Sequence, residues 1–265
     1  MCALAHEING ELCHISHMLK VNKLSLNIKK THFIVFHRKH FKGDIKIQID
    51  QQDIDRVWKT KFLGVIIDHK LSWKDHITYV SGKMSRSIGI LIKARNLLNR
   101  KAMMTLYYSF VYPYLTYCNH VWGSTYKSNT EKLYNLQKRA MRIMFNLRKR
   151  ESVTHLFDEM NILKFPDVNL YLISRFMYRY YVQRVPAIFS GYFVPNADVH
   201  NYFTRQSVHY HIPTAKSDLS KFSIRYRGAI IWNEIIKLKI DTCVSEAVFM
   251  RSVKACLKYK TLCIP

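Results

Sequence analysis

Two acidic pairs could in principle serve phosphoryl chemistry, Asp53 with Asp55 and Asp158 with Glu159. Two-metal phosphoryl transfer needs carboxylates that converge on a pair of cations. Asp53 and Asp55 fall in a segment that reads as a turn. Asp158 and Glu159 fall on a basic-flanked helix, and both pairs read as solvated surface groups. No glycine-rich phosphate loop is present, and no nucleophile carries a local motif. Among the 13 histidines, His209-Tyr210-His211 and Cys118-Asn119-His120 are the densest clusters. Each offers two ligands, short of a tetrahedral site, so satisfied structural histidines are the expected reading. The six cysteines (Cys2, Cys13, Cys118, Cys243, Cys256, Cys263) never stand two residues apart. They read as idle thiols in a reducing compartment, with neither zinc site nor disulfide framework. Residue types and spacing alone give a basic, mostly helical binding protein without a visible active site.

Charge points further. Lys and Arg number 42 against 18 Asp and Glu, a formal charge of +24. That excess predicts attraction to polyanions, meaning nucleic acid or an anionic membrane surface, with steep salt dependence. Nucleic acid is the preferred partner, because 17 tyrosines are interleaved with the charge and offer faces for stacking on bases. Residues 1–13 carry Glu7 and Glu11 without a basic n-region, so no signal peptide is expected. Ala102 to Tyr126 holds no Asp, Glu, Lys or Arg. Pro113, Asn119, His120 and several tyrosines make it too polar for lipid, so it reads as a buried helical element and no membrane partner is expected.

The hydrophobic pattern that must carry any site predicts an α+β chain. Its parts are a small antiparallel sheet of about three strands with an N-terminal helix, then a mostly helical bundle. Leu4, Ile8, Leu12, Ile15 and Leu19 predict a helix over 3–20, weakened by Gly10. Thr31 to His37 is β-prone, Phe41-Lys42-Gly43-Asp44 is a turn signal, and Ile45, Ile47 and Ile49 alternate as a half-exposed strand. Lys61 to Ile67 reads as a buried strand closed by Asp68-His69, with Gly64 marking a bulge or a close backbone approach. Ser72 with Asp75 is a capping-box pattern. It opens a helix over 73–97 whose core face is Ile77, Val80, Met84, Ile88 and Leu91.

A second long helix starts near 100 and is bent or broken at Pro113. Asn129 can cap a third, with Leu133, Leu136, Ala140 and Ile143 on one side and Lys138, Arg139 and Arg142 on the other. Arg148-Lys149-Arg150 extends that charge. After Pro166 a helix turns Leu170, Ile173 and Met177 inward and leaves Arg175 and Arg179 outside. Residues 185–221 read as a linker or long loop. Final helices follow over 222–238 and 245–260, the last with Phe249, Val253 and Leu257 on one stripe and Arg251, Lys254 and Lys258 elsewhere.

Several of these segments, in order, resemble the reverse transcriptase of LINE-type (non-LTR, jockey-like) retrotransposons. They are Asn22-Lys23-Leu24-Ser25-Leu26-Asn27 with Lys30-Thr31, Lys61-Phe62-Leu63-Gly64, and Leu71-Ser72-Trp73-Lys74-Asp75-His76-Ile77. The likeness continues through Tyr112-Pro113-Tyr114-Leu115-Thr116-Tyr117-Cys118, Val121-Trp122-Gly123 and Leu133 to Arg142. It ends with Tyr202-Phe203-Thr204-Arg205 and Trp232-Asn233. Met18 stands where the family usually has Trp, and the Cys/His knuckle of some relatives is not found.

The resemblance implies the end of a polymerase palm with a primer-grip hairpin (1–71), a helical thumb-like domain (72–184) and a C-terminal extension (185–265). In that family the aspartate pair that holds Mg²⁺ lies upstream of the segment matching 3–20. No Asp-Asp occurs in this chain. The resemblance therefore implies no cofactor held by these residues, and no RNA-directed DNA polymerase activity from the chain alone. Lys30 falls in the motif where a lysine helps protonate the leaving pyrophosphate, and Phe62, Leu63 and Gly64 fall at the primer grip. Lys61, Arg139, Arg142, Arg148 and Lys149 are the expected phosphate contacts to an RNA/DNA primer–template. The plain readings stand beside these: Lys30 as a solvated turn lysine, Phe62 and Leu63 as core. Two further readings stay open, an inert piece of a decayed mobile element or partial gene, and a module that docks with a separate palm and fingers fragment.

Overall fold

The computed structural model describes residues 2–36, 45–199 and 209–262. It is α+β and mostly helical, and the chain divides into two compact units, Met1–His76 and Ile77–Pro265.

In the first unit, helix α1 spans Cys2–Val21 and a single 3-10 turn spans Ile28–Lys30. Among the described residues six short strands follow: β1 His32–Phe33, β2 Gln48–Ile49, β3 Gln52–Asp53, β4 Asp55–Arg56, β5 Lys59–Phe62 and β6 Val65–Asp68. They pair as three two-stranded ladders: β1 with β4 in parallel, β2 with β3 and β5 with β6 antiparallel. The isoleucine alternation holds, with Ile47 and Ile49 buried and Gln48 and Asp50 exposed, although ladder pairing covers only 48–49 of that run. Ile47, Ile49 and Ile54 form a small core against Ala5 and Leu12 of α1, with Phe33 and Ile45. Asp53 and Asp55 sit on β3 and β4 rather than in a turn, because Ile54 between them is drawn into that core. The turn signal 41–44 and His37 lie outside the described residues.

Polar contacts seat α1. Asn9 donates to the Lys46 carbonyl at 3.3 Å and accepts from the Gln48 amide at 3.0 Å. The β2–β3 turn is Asp50-Gln51, both at positive φ (50° and 63°), as a two-residue hairpin of this twist requires. The Lys20 ammonium and the Ser16 hydroxyl on Asp50 hold its carboxyl below the usual carboxylate range.

The run 61–67, read from sequence as one strand, is instead a hairpin turning at Leu63-Gly64. Its exit is controlled by Asp68, a buried carboxylate that accepts from the amides of Lys70, Ser72 and Trp73 and from the Ser72 hydroxyl, all at 2.9–3.1 Å. Leu71 and Trp73 take left-handed φ values (52° and 62°) within that loop. The expected Ser72–Asp75 capping box is not formed, because Asp68 accepts the Ser72 amide that the Asp75 carboxylate would take. Asp75 meets Lys59 at 3.3 Å, and helix α2 begins at Lys74.

The second unit is built of helices. After α2 (Lys74–Ala94) come α3 (Arg100–Phe110), α4 (Tyr112–Thr116), α5 (Asn119–Trp122) and α6 (Lys127–Met144). They are followed by α7 (Thr154–Glu159), α8 (Phe165–Tyr181), α9 (Asn196–Val199), α10 (Asp218–Phe222), α11 (Ile224–Lys237) and α12 (Glu246–Lys258). The Asn99 side chain caps α3 through the Ala102 amide at 2.9 Å, and Pro113 starts α4. The α8–α11–α12 core holds Ile173, Met177, Trp232, Phe249, Val253 and Leu257. Residues 185–221 are not a bare linker: Phe193 is buried in that core and Pro195 bridges to Tyr210. Residues 200–208 lie outside the described set. Among the described residues no helix is long and apolar enough to cross a membrane.

His76 generates a prediction. Its buried Nδ1 accepts from the Ile66 amide at 3.2 Å, and burial pushes its pKa down to about 4. The unfolded chain protonates the same ring near pH 6.5. Stability is therefore full above about pH 6.5 and falls as pH drops toward 4, by about 2 kcal/mol at pH 5. Urea unfolding at pH 7.5 and pH 5 should show that loss in the native chain and a smaller one in His76→Gln. Equal losses in both would contradict it.

Candidate nucleic-acid interface

The β5–β6 hairpin, in the first unit, pairs Lys59 with Asp68 through Phe62 with Val65, leaving Leu63-Gly64 as a two-residue turn. Both turn residues have positive φ, 45° and 85°, the geometry that favours Asn-Gly or Gly-Gly. A leucine there costs backbone strain. Phe62 is 61% and Leu63 73% exposed, so the plain reading of these two as core is corrected. The hairpin presents apolar side chains outward at its tip, with Lys61 exposed beside them. At its base His69 packs edge-on to Trp58, and the Arg56 guanidinium lies 4.5 Å from the Trp58 ring centre.

Lys30 is exposed at the end of the 3-10 turn that leads into β1. The β1–β4 ladder is parallel, so Lys30 precedes its start whereas the hairpin follows its end. No hydrogen bond or ion pair joins Lys30 to the hairpin among the described residues.

In the second unit, the candidate cations lie on α6. Leu133, Gln137, Ala140, Met141, Ile143 and Met144 are buried along one side. At 100° per residue the remaining arc carries Lys127, Lys132, Lys138, Arg139 and Arg142, with Glu131 as its single acid. The helix starts at Lys127, so Asn129 lies inside the first turn, where it donates to Thr125 Oγ1 instead of capping. Leu136, expected in the core, is only partly buried at the edge of the polar groove beside the arc.

Sequence periodicity placed Gln137 nowhere in particular, yet it is fully buried. Its amide donates to Tyr107 Oη and to the Leu163 carbonyl, both at 2.9 Å, and its carbonyl accepts from the Phe165 amide at 2.8 Å. Burial keeps the Tyr107 phenol protonated far above its ordinary range. Nearby Asn119, also fully buried, accepts from Asn169 and donates to the Leu115 carbonyl, and Ser124 closes the set on Asn169. Cys118-Asn119-His120 is thus structural, with His120 stacked on Phe176. Among the described residues no three His, Cys, Asp or Glu side chains are grouped to hold a metal.

A hollow of about 500 Å³ runs beside the arc, lined by Ser85 of α2 and by Ser128, Glu131, Lys132, Asn135, Leu136 and Arg139 of α6. Arg139 lies in it. Arg142 points one side of its guanidinium at the Glu151 carbonyl, 2.8 Å away, which pins the loop after α6. In that loop Arg148 and Lys149 are exposed, and Glu151 accepts from the Arg148 amide at 3.1 Å. Lys132 was missed in the sequence reading although it stands seven residues before Arg139, two helical turns along the same face. Arg175 and Arg179, read as available, are instead both bound to Glu246.

No family profile matches the chain, and no solved structure matches it. A Drosophila melanogaster protein described as a probable RNA-directed DNA polymerase from transposon BS is 30% identical over 122 residues. That match covers 44% of this chain and 13% of the Drosophila protein. The corresponding X-element protein, from the same species, is 20% identical over 150 residues, 52% of this chain and 16% of its own. The chain therefore matches only a small part of these relatives. Its similarity is to part of transposon proteins described as probable RNA-directed DNA polymerases.

The strained tip yields a stability test. Leu63→Asn, which tolerates the left-handed turn, should raise stability by about 1 kcal/mol in urea unfolding. A loss of stability would mean that Leu63 is held there by packing.

Proposed function

We propose that this chain corresponds to the end of the palm, the primer-grip hairpin and the thumb of a jockey-like retrotransposon reverse transcriptase. Its own capacity in that reading is sequence-independent binding of the primer–template backbone. The observation that carries it is the arc of five cations on α6 beside a polar hollow, in a chain of charge +24. Lys and Arg at helical spacing reach successive phosphates and carry no base information. Lys61 with the outward Phe62, Leu63 and Gly64 forms the hairpin's contribution. Lys132, Arg139, Arg142, Arg148 and Lys149 form that of the helical unit, and Lys30 keeps a place in the palm motif without chemistry of its own. Paired Mg²⁺-binding carboxylates would come from a segment other than these residues, since no Asp-Asp occurs here.

The exposed Leu4, Ile8 and Ile15 of α1 favour a second reading, in which this unit docks with a separate palm and fingers fragment. Co-elution with such a fragment supports it, and two independent peaks count against it.

Binding should be steep in salt. Five phosphate contacts from the helical unit on duplex give a slope of log K against log salt of roughly −4 to −5. Lys132→Ala/Arg139→Ala should reduce that slope by about 2, as two lost contacts require. A slope near zero in the native chain removes the reading. The chain alone, given Mg²⁺, nucleotides and a primed template, should extend no primer, and extension would place the missing carboxylates within it.

A further inference from the structure

A second group of cations lies on the α8–α12 pair. Arg251, Lys254 and Lys258 follow one another at three- and four-residue steps along α12. The first two line a hollow of about 570 Å³ with Tyr171 and Arg175 of α8. Its acid, Glu246, is already held by Arg175 Nε at 2.5 Å and by Arg179 at 3.0 Å. Neither Arg251 nor Lys254 forms an ion pair among the described residues. Burial, and then the neighbouring Lys258, whose ammonium donates to the Asp158 carbonyl at 2.9 Å, push the Lys254 pKa down, so positive charge is crowded there. At the end of the same helix Tyr259 is 82% exposed between Lys258 and Lys260. A largely exposed ring between two lysines in sequence offers nothing to a paired duplex, whose bases are stacked on each other. Unpaired bases can stack on it while their phosphates follow the basic groove.

We propose that the α8–α12 face is a binding track for single-stranded nucleic acid, with phosphates at Arg251 and Lys254 and a base on Tyr259. It rests on the backbone-binding reading for the class of polymer, but it assigns a different surface and a different strand form.

Fluorescence anisotropy of the full chain with a labelled oligothymidylate and with a labelled duplex, each at several salt concentrations, tests it. Arg251→Ala/Lys254→Ala should lower the oligothymidylate salt slope by about 1.4. Tyr259→Ala should weaken oligothymidylate binding by about fivefold or more, the value of one stacked base. Both should leave duplex affinity within about twofold, while Lys132→Ala/Arg139→Ala does the reverse. These side chains lie at the surface, and matching thermal melts of the variants establish that the fold is kept. Unchanged oligothymidylate binding in both α12 variants overturns the proposal, as does an equal loss for duplex and single strand. Duplex binding without any oligothymidylate binding sinks this proposal alone, whereas binding of neither sinks the backbone reading too. Capture by phosphatidylserine vesicles with no oligothymidylate binding would assign the patch to a membrane surface and overturn it.

Discussion

A buried amide has no water to fall back on, and the side chain of Gln137 is in that position at the centre of the helical unit. An unsatisfied amide in such a place costs a few kcal/mol. Gln137 avoids that cost only where Tyr107, Leu163 and Phe165 present their groups together, which fixes the rotation of α6 about its own axis. Turn the helix by one residue, about 100°, and Gln137 leaves its partners while Lys138 enters the core. The cationic arc faces outward because the opposite side of the helix can bury only one way. Asn119 and Asn169 apply the same logic a short distance along the chain, where their mutual hydrogen bonds tie α5 to α8.

Charge accounting within the second unit then decides what that outward face can do. Ile77–Pro265 holds 29 Lys and Arg against 10 Asp and Glu. Several of the acids are committed: Glu246 to Arg175 and Arg179, Asp158 to Lys164, Glu234 to Lys237. Asp218 takes the Tyr126 hydroxyl and Asp241 the Cys243 amide. Lys127, Lys132 and Arg139 on α6 and Arg251 on α12 are left exposed without an ion pair among the described residues. A surface of that kind gains most from a polyanion, through release of its counterions. In the first unit one acid serves geometry instead. Asp68 stiffens the loop between the hairpin and α2, so the strained Leu63-Gly64 tip stands on a rigid base.

How far the sequence foretold this differs residue by residue. The α6 arc was legible, because Lys138, Arg139 and Arg142 follow the helical period and the period alone places them. The isoleucines at 45, 47 and 49 were legible by alternation even though backbone pairing there is brief. The hairpin turn was not read from its residues, since Leu63-Gly64 lacks the Asn-Gly signal and its apolar flanks look like a continuous strand. Asp68 was missed as a cap because its donors lie two to five residues ahead, where the capping pattern expects Ser72. Gln137 and Asn119 were invisible: polar residues on a helix read as solvent-facing, and their partners lie 26–50 residues away. Arg175 and Arg179 looked free for the same reason, with Glu246 about 70 residues distant.

The central claim is that positive charge on the helical unit is gathered into a face that engages a polynucleotide. Lysine acetylation footprinting with and without a nucleic-acid duplex tests it most directly, reading each lysine by mass spectrometry. Protection concentrated at Lys127, Lys132 and Lys138, with Lys216 and Lys239 still reactive, is the result this account predicts. Equal protection of all lysines, or none, would contradict it.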